Sequence, residues 1–212
     1  MNFRYGKREV EYLKAKDRKL GAVIDRIGHV RFEVDGDLFS GVVGNIVAQQ
    51  ISGKAFATIM QRMAESIGDI TAESLSKVET RTIQRCGMSM KKAEYIKDFA
   101  VKVASGAFDL ARVATLPDDE VIAALSSLRG IGVWTAEMLL LFCLQRPDVL
   151  SFGDFGIQKG MRMVYRHRKI TKALFQKYRR RLSPYGSVAS LYFWSVANGE
   201  LPDLTDPASR NG

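Results

Sequence analysis

Apolar residues recur every three to four positions along most of this chain, the spacing of one face of an α-helix. Val23, Ile24, Ile27 and Val30 keep that spacing between Leu20 and Val34, and Gly36 separates this segment from the next. Leu38, Val42, Ile46, Ala55, Ile59 and Met63 keep it through 37–67, with a break predicted near Ser52-Gly53. Short helices are predicted over 69–78 and 80–85, and a longer one enters from the turn at Gly87 and runs to about Ser105. Val121, Leu125 and Leu128 mark a helix over 117–128, with Thr115 and Asp118 spaced as a capping box. Residues 133–144 read as a mostly buried helix. Ile157, Met161, Val164 and Tyr165 mark another, which Asp154 can N-cap. Only Val30 to Val34 alternates in the manner of a strand, and it is short. The expected fold class is therefore all-α, a single domain over 1–212 of two helical lobes with a central cleft. The lobes are expected over about 38–113 and 114–212. The N-terminal segment 1–37, with a helix from about Glu9, is expected to pack on the second lobe.

Composition narrows the class of protein. With 212 residues, 46% of them hydrophobic, the chain can bury a sizeable core. A net charge of +9 favours a polyanionic partner, nucleic acid before membrane, and a basic protein with no polyanion is the plainer alternative. The run from Arg166 to Arg181 is rich in Lys and Arg and holds no acid, which suits either a solvated helix face or phosphate contacts. Cys86 and Cys143 sit in apolar neighbourhoods and are expected to be reduced and buried. Two cysteines cannot ligate an iron–sulfur cluster, which needs four. His29 and His167 are isolated, so no transition-metal cluster is expected. No N-terminal apolar leader is evident and no apolar run approaches the length of a membrane span, so a soluble, intracellular protein is expected.

One stretch stands out from this regular background. In Leu128-Arg-Gly-Ile-Gly-Val-Trp-Thr-Ala136, Gly130 and Gly132 bracket one apolar residue between two predicted helices. Glycine permits a tight turn and removes side chains that would block close approach. The amides of Gly132, Val133 and Trp134 then lie at a helix N-terminus, a ready site for phosphate. Twenty-two residues after Gly132 (154 − 132) comes Asp154, within Ser151-Phe-Gly-Asp-Phe-Gly-Ile-Gln-Lys159.

This pairing of hairpin and spaced aspartate resembles the helix–hairpin–helix DNA glycosylases with the Gly-Pro-Asp-type catalytic loop. Within them it is most similar to the DNA-3-methyladenine glycosylases of type II, in their compact form. The resemblance runs from about Asp37 to the end, through Ala48-Gln-Gln-Ile-Ser52, Gly87-Met-Ser-Met-Lys-Lys-Ala93 and the spacing of Pro184, Ser187, Ala189 and Trp194. It implies a monofunctional hydrolase of base excision repair. The substrate would be alkylated purines such as 3-methyladenine and 7-methylguanine, flipped out of duplex DNA. It implies Asp154 as the catalytic carboxylate and Trp134, Trp194, Phe155 and Tyr192 as the base pocket. DNA contacts are implied at Gly130, Gly132, Val133, Thr135 and Lys91, with Lys92 beside it, and at Gln50 or Ile51, one of which would fill the gap left by the flipped nucleotide. No cofactor is required, and a monovalent cation on the carbonyls of Ser126, Leu128 and Ile131 is the family's usual companion to the hairpin phosphate. Two departures are visible: Arg129 replaces the usual proline, and Gly186 stands where the family often has arginine. A monomer in the cytoplasm or nucleoid, or in the nucleus of a eukaryote, follows from the same resemblance.

The residues themselves support that chemistry. Cleaving an N-glycosidic bond builds positive charge on the deoxyribose, and a fixed carboxylate stabilises it. A cationic alkylated base is attracted to aromatic faces by about 1–2 kcal/mol per good contact. The strand-nicking relatives place a lysine nucleophile where Trp134 stands, and tryptophan cannot form a Schiff base. Two alternatives stay open: the same fold acting on hypoxanthine, uracil or an oxidised purine, and a DNA-binding module without catalysis. Taken singly, the same residues have plainer roles: Asp154 as a helix cap, Gln49 and Gln50 as helix-end amides, the aromatics as core, Lys91 and Lys92 as a solvated helix start.

Overall fold

The computed structural model describes residues 2–34 and 36–208. Among these the elements in chain order are α1 (Lys7–Lys16), α2 (Arg18–Ile27), α3 (Leu38–Ala48), α4 (Gly53–Ile67), α5 (Ala72–Lys77), α6 (Thr80–Arg85) and α7 (Met90–Ala104). There follow α8 (Leu110–Val113), α9 (Asp118–Ser126), α10 (Val133–Phe142), α11 (Phe155–Tyr165), α12 (Lys172–Leu182) and α13 (Gly186–Ala197). The fold is all-α. The alternating segment before Val34 contributes one isolated antiparallel bridge, Asn2 with Glu33. No helix among the described residues is long and apolar enough to cross a membrane.

The chain forms two compact units, one of 1–34 with 145–212 and the other of 35–144. The N-terminal segment does join the C-terminal helices: α1 packs on α12 and α13, and α2 on α11 and α13. The boundary, however, falls at 144, not near 113. α10 packs on both α9 and α3, so the hairpin helices belong with the middle of the chain. Gly41 on α3 shows how closely: a Cβ there would lie 3.1 Å from Leu139 Cδ2 and 2.3 Å from Cys143 Sγ.

Local signals explain most helix ends. Asp17 caps α2, accepting from the amides of Lys19 and Leu20 at 3.1 and 3.0 Å. Its second oxygen, buried, takes the Tyr165 hydroxyl at 3.0 Å and the Arg181 guanidinium at 2.8 Å, tying the N-terminal helices to α11 and α12. Burial and the facing Asp17 carboxylate push the Tyr165 hydroxyl well above its ordinary pKa, so it donates at all ordinary pH. α2 ends at Gly28, whose φ of 75° stops the helix before Val30, earlier than the periodicity suggests. The break between α3 and α4 spans 49–52, with Ser52 capping α4. The capping box expected at Thr115 and Asp118 does not form. Pro117 is the N-cap of α9, and the Thr115 hydroxyl donates instead to the Arg112 carbonyl at 2.7 Å.

Candidate active site

Within the unit of 35–144, the chain leaves α9 and turns at Gly130, whose φ is 87°. Leu128 and Ile131 are buried, and the Ile131 amide donates to the Leu128 carbonyl at 3.1 Å, which closes the turn. A Cβ at Gly130 would lie 2.3 Å from Cδ2 of Tyr95, so this glycine is required by the fold itself. Gly132 is different. Its φ of −94° suits any residue, and a Cβ there would meet nothing within 4 Å. Gly132 lends α10 no capping side chain, and the residues that follow it, Val133 and Trp134, are 59% and 47% exposed. Thr135, one step on, is buried. An apolar residue and a tryptophan exposed at a helix N-terminus form a surface suited to a ligand that carries both a phosphate and a ring. The donors of the hairpin turn are neutral carbonyls, a set suited to a monovalent cation. Among the described residues no cluster of His, Cys, Asp and Glu could hold another metal. Arg129, in the place of a proline, lies over the Tyr95 ring at 5.1 Å and 3.9 Å from Glu94.

The turn after α3 belongs to the same unit. Gln50 is exposed and has a φ of 56°, uncommon for a residue with a side chain. Ile51 beside it is half-buried. Lys91 is exposed, its ammonium 5.9 Å from the Tyr95 ring centre. Lys92 does not point outward for phosphate. Its ammonium donates to the carbonyls of Val47 and Gln49 at 2.8 and 2.5 Å, and the loss of water lowers its pKa.

Asp154 lies in the other unit. The segment that delivers it is fastened to the start of α13. The Asp148 carboxylate accepts from the Gly186 amide at 3.0 Å and from the Ser183 hydroxyl at 2.6 Å. Ser187 Oγ accepts the Val149 amide at 2.8 Å, and Ser190 Oγ donates to the Val149 carbonyl at 2.9 Å. Glycine at 186 has a local reason: a Cβ there would sit 2.8 Å from the Asp148 oxygen. Asp154 itself is 7% exposed. Its Oδ1 accepts the Ile157 amide at 2.7 Å, as the N-cap of α11, and the Trp194 indole N–H at 2.9 Å. The charge is thus held in one orientation by two donors on different helices.

The structure brings Asp154 and Trp194 together by a direct hydrogen bond. Phe155 points outward, three-quarters exposed, with the Arg162 guanidinium 5.8 Å from its ring. It lines a groove of about 520 Å3 with Lys159, Met163 and the tail from Leu201 to Asp206. Tyr192 is a core residue. Its ring is wholly buried and its hydroxyl donates to the Gly28 carbonyl at 2.9 Å, so it offers a base no surface. Trp134 lies in the unit of 35–144, beside the hairpin.

Three contributors were not legible as site residues. Phe32, on the segment after α2, tilts against the Trp194 ring at 5.6 Å. A Cβ at Gly156 would lie 2.7 Å from Trp194 Cδ1 and 3.2 Å from Asp154 Oδ1. A Cβ at Gly160 would lie 2.1 Å from the Phe193 carbonyl oxygen. Two glycines one turn apart on α11 therefore let α13 approach closely enough for Trp194 to reach Asp154. Their spacing is visible in the sequence, but glycine within a helical pattern reads there only as a weak point.

An amide-ended glycine hairpin followed by a buried, doubly bonded aspartate defines a class of DNA repair protein. The chain belongs to the HhH-GPD superfamily of base excision DNA repair proteins, whose family model matches residues 43–184. It is similar to DNA-3-methyladenine glycosylase 1 of Schizosaccharomyces pombe, with 31% identity over 175 residues, which is 80% of this chain and 75% of that one. A crystal structure of a DNA-3-methyladenine glycosidase from Bacillus halodurans has a TM-score of 0.86 at 32% identity, covering 96% of this chain and 95% of that one. A 3-methyladenine DNA glycosylase of fission yeast in complex with abasic DNA has a TM-score of 0.78 at 26% identity, covering 94% of this chain and 100% of that one.

Proposed function

We propose that this protein hydrolyses the N-glycosidic bond of alkylated purines, of the 3-methyladenine and 7-methylguanine type, in duplex DNA, as the first step of base excision repair. The observation that carries this reading is the Asp154 carboxylate, nearly buried and fixed by the Ile157 amide and the Trp194 indole. As the bond to the base lengthens, positive charge develops at C1′. A carboxylate already oriented stabilises that charge without reorganising, and can orient the attacking water. The base leaves with the bonding electron pair, which neutralises its own charge, and water adds to C1′ as hydroxyl while its other proton passes to solvent. An alkylated purine already carries positive charge, so it departs without a strong general acid. The exposed ring of Trp134 offers such a cation a π face.

The hairpin supplies the grip. Backbone amides at the start of α10 bind phosphate without regard to sequence. Gln50 or Ile51 would fill the space left by the flipped nucleotide, at a cost of a few kcal/mol for unstacking. The carbonyls of Ser126, Leu128 and Ile131 would hold a monovalent cation that strengthens the same phosphate contact. With Trp134 in place of a lysine nucleophile, the enzyme releases the base and leaves the strand whole.

End-labelled duplexes holding one alkylated purine, hypoxanthine or uracil test the proposal. The alkylated duplex is expected to break only after alkali treatment of the abasic product. Breakage without alkali would contradict the monofunctional reading, and cleavage confined to hypoxanthine or uracil would move the substrate class.

The two hairpin glycines are expected to separate fold from function. Gly132→Ala should leave thermal stability within about 0.5 kcal/mol of the parent, because its Cβ meets nothing. Its duplex affinity, read by fluorescence anisotropy, should fall about tenfold or more as the Cβ holds a phosphate away. Gly130→Ala should instead lose roughly 2 kcal/mol or more of stability, from its positive φ and the Tyr95 ring. Equal stability losses for the two would overturn this division.

Trp194→Phe tests what the indole does. It keeps an aromatic ring and removes the donor to Asp154. Hydrogen bonds to charged groups contribute about 1.5–3 kcal/mol, so single-turnover base release should fall roughly ten- to a hundredfold with binding little changed. Unchanged release would mean that the ring acts by stacking alone.

A further inference from the structure

Behind the turn that follows α3, three bonds converge. The Lys92 ammonium donates to the carbonyls of Val47 and Gln49. The Gln49 side-chain amide in turn donates to the carbonyl of Gly130 at 2.7 Å, across 81 residues of sequence. Tyr95, three residues past Lys92 on α7, packs against Gly130 from the same helix. One face of α7 thus braces both the Gln49–Ile51 turn and the Gly130–Gly132 hairpin, and Gln49 bridges the two.

The bracing surrounds an outlier. Gln50 is exposed and left-handed at a φ of 56°. A residue with a side chain stays in that region only where its neighbours over-determine it, and such strain gathers at functional sites. Lys92 carries the same message. In a chain with a net charge of +9 that reads as a phosphate binder, one lysine at the edge of the hairpin is withdrawn from water to hold neutral carbonyls. Its chemistry there is rigidity.

We propose that Gln49, backed by Lys92, is a positioning residue that locks the Gln50–Ile51 turn in register with the phosphate-binding hairpin. Gripping the backbone and wedging the base stack then become one concerted event. Binding energy gained at the hairpin is passed to the residue that must hold the gap open, instead of being lost in a loose turn. This rests on the reading above, in which the hairpin holds phosphate and the turn fills the gap. Its consequence is specific: the coupling matters most where the lesion sits in a stable pair, and least where its partner is missing and extrusion is easy.

The test uses Gln49→Leu, which keeps the side chain's bulk and removes its N–H donors, with Lys92→Met as a second variant and Lys92→Arg as the conservative one. Amide hydrogen exchange in the free protein reads the bridge directly. Exchange is expected to rise together in segments 48–52 and 129–132 in Gln49→Leu, with the remaining helices unchanged. Single-turnover release of the alkylated base reads the consequence. Release is expected to fall about tenfold for a lesion opposite its normal partner, the scale of one lost hydrogen bond. Opposite an abasic gap it should fall no more than about twofold. Lys92→Met should follow the same pattern and Lys92→Arg should largely restore it. Faster exchange in one segment alone, or the same loss of release on both duplexes, would overturn the proposal. If the parent protein releases no base from either duplex, the glycosylase reading fails, and the exchange result still decides whether Gln49 couples the two segments.

Discussion

Asp154→Asn is expected to abolish most base release, by about two to three orders of magnitude, while leaving the protein folded and duplex affinity near normal. The substitution is a sharp one because asparagine can keep the bonds to both Ile157 and Trp194. Its side-chain oxygen can accept the Ile157 amide and the Trp194 indole as the carboxylate does. Asparagine is also as good an N-cap as aspartate, so α11 loses little. What disappears is the negative charge facing the developing cation. A side chain that served only as a cap would tolerate the exchange, and release would continue at the parental rate. Thermal unfolding and anisotropy with an abasic-site duplex supply the two controls.

Gly160→Ala is expected to be the most damaging single-methyl change to the fold. The added Cβ would fall 2.1 Å from the Phe193 carbonyl oxygen and 2.6 Å from its carbon, both backbone atoms that cannot swing aside. α11 must then retreat from α13. Overpacking against backbone costs about 3 kcal/mol or more, which in a chain of this size lowers the midpoint of thermal unfolding by roughly 6–12 °C. Activity should fall further than stability. Trp194 follows Phe193 on α13, and its indole reaches Asp154 only while the two helices stay close. A variant with parental stability would show that the helices yield more easily than their packing suggests.

These two residues mark how far the sequence could be read. The cap at Asp154 was legible because its evidence is local: an aspartate before a run with helical spacing. Helices set by period and caps, such as those holding Ile59 and Met63 or Ile157 and Met161, emerged for the same reason. Gly160 was not legible, because its role depends on which helix lies opposite. The boundary of the units failed in the same way. The hairpin helices look continuous with the C-terminal half until α10 is seen against α3. Tyr192 and Lys92 show the corresponding limit for side chains. Residue type suggested a base-lining ring and a phosphate contact, whereas long-range packing directs one to Gly28 and the other to Val47 and Gln49.

The most direct test of the account is chromatography of the bases freed from methylated duplex DNA over time by the unmodified protein. Release of 3-methyladenine and 7-methylguanine from the methylated duplex, with nothing released from the unmethylated duplex, is the predicted result. Tight binding to the methylated duplex with no free base of any kind would contradict it, and would leave the hairpin as a DNA-binding device without an enzyme behind it.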